Sequence, residues 1–233
     1  MAEQSFPQLN AVTIDLDDTL FPQSAWLAGA WAAVAAAAVP YGVPDLLPSL
    51  VSIAAEGSDK GAIIDRALES LGVDGADFTF ALVAAFSTWA PSTLDLYPGA
   101  RDALVRLRSD GLTLAVITDG NPVVQRSKLR ALGLFALVDH VIISDEIGGR
   151  ATRKPSPEPF LRALQLCGCA ADEAVHIGDR PAKDVVGAAG VGMRAIRVRT
   201  GEYADTPDGE PTPWRTADTF ANAASLLASA RLG

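Results

Sequence analysis

Three short apolar runs in this chain end abruptly in carboxylates or a hydroxyl. Ala11-Val12-Thr13-Ile14 leads into Asp15, Asp17 and Asp18. Thr113 to Ile117 leads into Thr118-Asp119-Gly120, and Ala174 to Ile177 into Gly178-Asp179. Runs of this length and composition suit strands buried on both faces, which is the pattern of a parallel sheet. From residue 100 onward such runs alternate with helical text. Helices are predicted over 100–109, 123–132, 158–167 and 182–189, and strands over 113–118, 140–144, 174–178 and 195–198. A loop at 200–216 and a final helix at 217–230 complete the chain. Strand–helix alternation gives an α/β fold with helices on both faces of the sheet. Ligands of such sheets bind beyond the carboxyl ends of the strands. The acidic and hydroxyl residues at three strand ends are therefore expected on one rim.

The alternation is interrupted once. Residues 21–94 contain helical patterns alone, predicted over 25–39, 45–55, 58–71 and 77–89. The expected organisation is an α/β core domain built from 1–20 and 95–233, with an all-helical domain of 21–94 inserted after the first strand. Residues 19–44 carry no charge. Pro22, Pro40 and Pro44 interrupt them, and the unbroken part, 25–39, falls short of the roughly 20 residues that cross a bilayer. A buried helix is expected there.

The net charge of −9 and pI near 4.7 exclude nucleic acid and anionic membrane as natural partners. An anionic substrate would have to be held locally against that field. Cys167 and Cys169 are too close together for an unstrained disulfide and lack a zinc spacing. Both are expected reduced, as packing residues in a cytoplasmic protein. His140 and His176, beside predicted strands, are expected in structural roles. The first ten residues lack the basic start and apolar core of a signal peptide. Oligomeric state is not encoded legibly.

In an extended segment residues i and i+2 share a face, so Asp15 and Asp17 project into one space. Two carboxylates that close repel. A bound cation relieves the repulsion, as does a proton on one of them. Phosphoryl transfer uses such an arrangement, because it needs an in-line nucleophile, a proton for the leaving oxygen and positive charge around the phosphoryl group.

Four segments in order carry a family resemblance: DLDDTL at 15–20, VITDG at 116–120, RKPSPEPF at 153–160 and HIGDRPAKD at 176–184. Together they resemble the motifs of the haloacid dehalogenase (HAD) superfamily of hydrolases. The helical insert resembles the cap of one subgroup. The resemblance implies a Rossmann-like core with an all-helical cap, and a reaction through an aspartyl-phosphate. It implies Asp15 as nucleophile and Asp17 as general acid and base. Thr118, the backbone of Asp119 and Lys154 would bind phosphate. Mg²⁺ would be held by Asp15, the Asp17 carbonyl and Asp179, with Asp184 as ligand or just behind. Lys154 and Asp184 each compete with a plain surface reading, and Arg153 is expected to be solvated. Asp18 stands where Gly is frequent and Asp119 where Asn is frequent, so a second carboxylate near the phosphate has to point away.

The pair Asp17 and Asp179 argues against dehalogenation, which needs neither a leaving-group acid nor a metal. Lys60, the only lysine of the insert, has no surroundings that mark it as a phosphonatase Schiff-base residue. A metal-dependent phosphomonoesterase acting on a small phosphorylated metabolite is the expected activity. The alternatives are a binding or regulatory protein on the same scaffold, or a partner-binding surface on the Ala-rich insert. A binding protein that had lost catalysis would be expected to lack Asp15, Asp17 or Lys154, and all three are present. The aromatic residues Phe21, Trp26, Trp31, Phe86 and Trp89 are expected mostly to pack the insert's own core.

Overall fold

Six parallel strands lie in the order β3-β2-β1-β4-β5-β6 in the computed structural model, which describes residues 8–231. The reading of the first ten residues falls mostly outside that range. The strands are β1 Ala11–Ile14, β2 Thr113–Thr118, β3 His140–Ile143, β4 Ala174–Gly178, β5 Arg194–Val198 and β6 Arg215–Ala217. β1 is central, with Ile14 level with Val116 of β2 and Ile177 of β4. All four residues of β1 are buried. The order of connection reverses beside β1, which opens a crevice at the carboxyl ends of β1, β2 and β4.

Helices α1 to α10 are Gln23–Ala38, Leu46–Ala54, Ile63–Ser70, Thr79–Thr88, Ala100–Ser109, Pro122–Ala131, Ser144–Gly148, Pro157–Cys167, Val186–Gly190 and Phe220–Arg231. α8 and α9 cover the sheet face that carries Ala11, Ala115, Ile117, Ala174 and Ala195. α5 and α10 pack together against β2 and β5 from the other side. α8 starts with Pro157, where a missing N–H costs nothing, and ends at Gly168 with φ 66°, a left-handed turn that favours glycine.

The described residues form two units. One holds those up to Gln23 and from Thr93 on, the other Ser24–Ser92. In the helical unit Trp31, Val34, Ala38, Leu46, Leu50, Leu68, Phe78 and Leu82 share one core. Phe86 lies edge-on to Trp26 at 5.1 Å. Phe21 is not part of that unit. It lies in the α/β unit, fully buried, and its carbonyl accepts from the Asp18 amide at 2.9 Å.

Several expectations need correction. α1 ends at Ala38, ahead of Pro40 as expected, but the helical run does not stop there. A tight turn, Val39–Tyr41, continues it, since the second position of such a turn needs no N–H. The resulting run Gln23–Tyr41 has 19 residues and is long and apolar enough to cross a membrane by those criteria alone. Trp26, Ala30, Trp31, Val34, Ala35 and Ala38 of α1 are nevertheless buried, a stripe at helical spacing that suits a core helix. The helix expected at 58–71 is shorter, because Gly61 and Ala62 take φ of 64° and 49°, through which no right-handed helix runs. Two elements escaped the pattern altogether, α7 and β6. β6 is a three-residue edge strand with Arg215 and Thr216 exposed, so it has no apolar signature. The loop before it is pinned by the buried Arg197, which binds the Tyr203 carbonyl at 2.7 Å and the Asp208 carboxylate.

Phe160 of α8 is fully buried and meets the His176 ring edge-on at 5.0 Å. A Cβ on Gly187 would stand 2.3 Å from its ring, so α9 approaches α8 over a glycine. Phe160→Ala is expected to lower unfolding stability by about 3–5 kcal/mol, as read from urea denaturation.

Candidate active site

Asp15 follows β1 directly, and its amide continues the strand ladder by donating to the Ile177 carbonyl at 2.9 Å. Its carboxylate is therefore fixed at the rim between β2 and β4. Thr118 is the last residue of β2 and is 1% exposed, and Asp179 follows β4 and is also 1% exposed. Lys154 comes from the loop before α8 and is buried. It is thus not a surface lysine. Its ammonium donates to Asp15, to Asp184 Oδ1 at 2.7 Å and to the Ile117 carbonyl at 3.3 Å. All three of its hydrogens are used.

Asp184 is likewise buried rather than on a helix surface. A wide helical turn, Pro181–Val185, rolls it back under β4. Its Oδ2 accepts from the Arg180 amide at 2.9 Å, and its Oδ1 faces His176 Nε2 at 3.1 Å. Gly178 leaves room for this, since a Cβ there would lie 2.3 Å from the Asp184 carboxyl carbon. His176 is inside β4, fully buried, with Nδ1 at 2.9 Å from Thr13 Oγ1 on the adjacent strand. Burial holds the imidazole below its usual pKa, so the ring is neutral at neutral pH. Facing a carboxylate, Nε2 must carry the hydrogen, and Nδ1 then accepts from Thr13. The structural role expected for His176 is thus a support for the site.

The carboxylates of Asp15, Asp179 and Asp184 each offer an oxygen within 4.8 Å of the others. Their protonation is unequal. Burial opposes ionisation of Asp184, but Lys154 and His176 outweigh it and hold it well below the ordinary carboxylate range. Burial raises Asp15 to about 7 despite Lys154. Burial, reinforced by Asp15 and Asp184, raises Asp179 to about 9. The Thr19 hydroxyl lies 3.5 Å from Asp15 and 3.4 Å from Asp179, and one hydrogen cannot offset both charges. The cluster is short of positive charge and offers only oxygen donors, a set that suits a hard divalent cation.

Asp119, the carboxylate expected to clash with an anion, points elsewhere. Its Oδ1 accepts from Ser144 Oγ at 2.5 Å and from the Lys154 amide at 3.1 Å, and its Oδ2 from Lys183 at 3.3 Å. It thereby ties the Lys154 loop to the end of β2. Arg153, expected to be solvated, instead grips Asp145 with two bonds of 2.6 Å. Asp18 takes φ 56° and turns its side chain to the amides of Gln23 at 2.9 Å and Glu202 at 3.3 Å. This fixes the turn after Asp17.

The structure therefore brings Asp15, Asp17, Thr118, Asp119, Lys154, Asp179 and Asp184 to one rim. The sequence reading missed Gln125 and Lys128 of α6, which meet Asp17. Gln125 Nε2 lies 2.9 Å from Asp17 Oδ2, and Lys128 Nζ lies 2.7 Å from Asp17 Oδ1. A signal was present. They sit three apart, next to the buried Val124 and Leu129, so two polar residues stand beside the apolar side of a helix.

Known proteins resemble the chain over most of its length. The sequence model of one family, described as haloacid dehalogenase-like hydrolase, matches residues 9–192. A glyceraldehyde 3-phosphate phosphatase of Methanopyrus kandleri is 34% identical over 205 residues, 84% of this chain and 87% of that protein. A phosphoserine phosphatase of Thermus thermophilus is 42% identical over 116 residues, but the match spans 50% of this chain and 45% of that protein. Among solved structures, a 2-haloacid dehalogenase of Pseudomonas syringae is 27% identical with a TM-score of 0.67, covering 95% of this chain and 99% of that one.

The raised groups set a pH dependence. Asp15 and Asp179 bind protons more tightly folded than unfolded, so their contribution to stability is full below about pH 4 and disappears as pH rises through about 7 and 9. Metal-free protein is expected to lose thermal stability from about pH 6.5 to pH 9, above the range where the buried, neutral His176 opposes the trend. Added Mg²⁺, which competes with those protons, is expected to raise the melting temperature more at pH 8 than at pH 5. Differential scanning fluorimetry in EDTA and in MgCl₂ measures both.

Proposed function

The chain belongs to the haloacid dehalogenase-like hydrolases, and from that premise we propose that it is a Mg²⁺-dependent phosphatase of small phosphorylated metabolites, with Asp15 as its nucleophile. The observation that carries this reading is the meeting of the buried Asp15, Asp179 and Lys154 at one rim, with the half-buried Asp17 beside them. A haloacid dehalogenase needs neither a second aspartate to protonate an alkoxide nor a carboxylate cluster short of positive charge. The glyceraldehyde 3-phosphate phosphatase and the phosphoserine phosphatase that the chain resembles point the same way.

The steps follow from the side chains. Asp15 attacks phosphorus in line and forms an aspartyl-phosphate, while the P–O bond to the leaving group breaks. Asp17, two residues on and on the same side of the turn, enters the step as the protonated acid and gives that proton to the leaving alkoxide. It then takes one from the water that hydrolyses the acyl phosphate. Thr118 donates its hydroxyl hydrogen to a phosphate oxygen, and the Asp119 amide adds a second bond. Lys154 is already saturated, so a phosphoryl oxygen on Asp15 would take over the hydrogen now given to the Asp15 carboxylate. Mg²⁺ would be held by Asp15, the Asp17 carbonyl and Asp179, supplying charge to the phosphate and to the crowded carboxylates. Asp184 has three donors on its two oxygens already. We assign it to orienting Lys154, with one lone pair left toward the ion. The helical unit, Ser24–Ser92, is proposed as the cap that selects the leaving group, on the strength of its place in the chain order. A cytoplasmic location is proposed on the same kinship.

Asp15→Asn is expected to abolish release of p-nitrophenol from p-nitrophenyl phosphate while leaving the fold intact by circular dichroism. Activity retained in that variant would sink the nucleophile assignment. EDTA is expected to silence the wild type and Mg²⁺ to restore it; full activity in EDTA would overturn the metal requirement. Asp17→Asn is expected to cost roughly 10²- to 10⁴-fold in rate, most with esters of poor leaving groups.

A further inference from the structure

Asp17 sits where the chain has left β1, so β1 itself does not fix its side chain. The fixing comes from α6. Gln125 and Lys128 are three residues apart on that helix and therefore share a face. They are 2% and 3% exposed, which is rare for such side chains without a partner. Each takes one oxygen of Asp17: Lys128 Nζ meets Oδ1 at 2.7 Å and Gln125 Nε2 meets Oδ2 at 2.9 Å. Gln125 Nε2 also reaches the Thr118 hydroxyl. The amide must present its NH₂ group here, because its carbonyl end would repel the carboxylate. One amide hydrogen then goes to Asp17 and the other to Thr118 Oγ1. Thr118 thus accepts from Gln125, and its own single hydrogen has to point away from that helix.

We propose that Gln125 and Lys128 are positioning residues: together they hold the Asp17 carboxylate in one orientation beside Asp15, and Gln125 aims the Thr118 hydrogen into the phosphate site. The proposal rests on the reading of Asp17 as acid and base. Proton transfer needs heavy atoms within about 2.6–3.2 Å, and a misplacement of about 1 Å costs on the order of 10²-fold. A carboxyl held at both oxygens keeps that distance through both half-reactions, protonated when it acts as acid and ionised when it acts as base. A carboxylate on a free turn does not. The rival account is that Lys128 and Gln125 only fasten α6 to the turn after β1.

The test compares kcat/KM for p-nitrophenyl phosphate and phenyl phosphate in wild type, Lys128→Met, Gln125→Met, Asp17→Asn and Lys128→Met/Asp17→Asn. The ratio kcat/KM reports the step in which the leaving group departs. Phenolate leaves far less readily than p-nitrophenolate, so a misplaced acid harms phenyl phosphate more. Lys128→Met is expected to lose about 10- to 100-fold with phenyl phosphate and several-fold less with p-nitrophenyl phosphate. In the Asp17→Asn background the same change is expected to add less than about 3-fold, since residues acting through one group are not additive. Equal losses on the two esters in Lys128→Met, or losses that multiply in the double variant, overturn the proposal and leave the fastening role. If Asp17→Asn itself shows equal losses, the acid–base reading has failed and this proposal falls with it. Gln125→Met is expected to show the same extra loss on phenyl phosphate, on top of a loss common to both esters from the freed Thr118 hydroxyl, so the test stands even if Lys128→Met does not fold.

Discussion

One buried ammonium organises the rim of this sheet. Lys154 touches the carboxylate after β1, the carbonyl of Ile117 in β2 and the carboxylate rolled under β4, and its amide is held by Asp119. Burying a lysine is unfavourable unless it is fully paired. Removing one partner of such a pair leaves an uncompensated charge, at a cost of about 3–5 kcal/mol. The attraction of Asp15, Asp184 and Asp119 exceeds the burial penalty, so Lys154 is held above the ordinary lysine range and stays charged. The same charge divides the carboxylates into two classes. Asp184, which also faces His176, is kept ionised, whereas Asp15 and Asp179 are pushed up by burial.

That division matters for chemistry. A nucleophilic carboxylate has to be ionised at the working pH, and Asp15 by itself stands near the middle of that range. A divalent cation, proposed to sit among Asp15, Asp179 and the Asp17 carbonyl, would supply the charge that Lys154 alone cannot. The chain from Thr13 through His176 to Asp184 runs across β1 and β4, where Thr13 and His176 are aligned. It anchors Asp184 to the most buried part of the sheet. The support beneath the site is thus built from strand interiors, while the groups proposed to meet substrate stand on strand ends and the turns beyond.

The parts of the site legible in the sequence were those that sit at the ends of apolar runs. Asp15, Thr118 and Asp179 follow strands whose burial is written in their composition, and strand ends of a parallel sheet share a rim. Lys154 and Asp184 were reached through motif order, since neither lies in a run with a clear period. Gln125 and Lys128 were missed because a polar residue on a helix is ordinarily solvated, and one sequence does not say which side of α6 turns toward β1. β6 was missed because an edge strand of three residues can be polar throughout. The wide turn at 181–185 reads in sequence as ordinary helix because its residues do not distinguish the two.

The sequence by itself determined that the chain alternates strands and helices around a parallel sheet, that helices alone fill the insert, and that carboxylates and a hydroxyl stand at three strand ends. These follow from local rules: side-chain period, chain stiffness and the position of turns. Only the tertiary structure decided which carboxylates carry charge, which way Asp119 points, and that Asp17 is held by α6. Those depend on distances of a few ångströms between groups far apart in the chain, and on the loss of water around them, which local sequence does not encode.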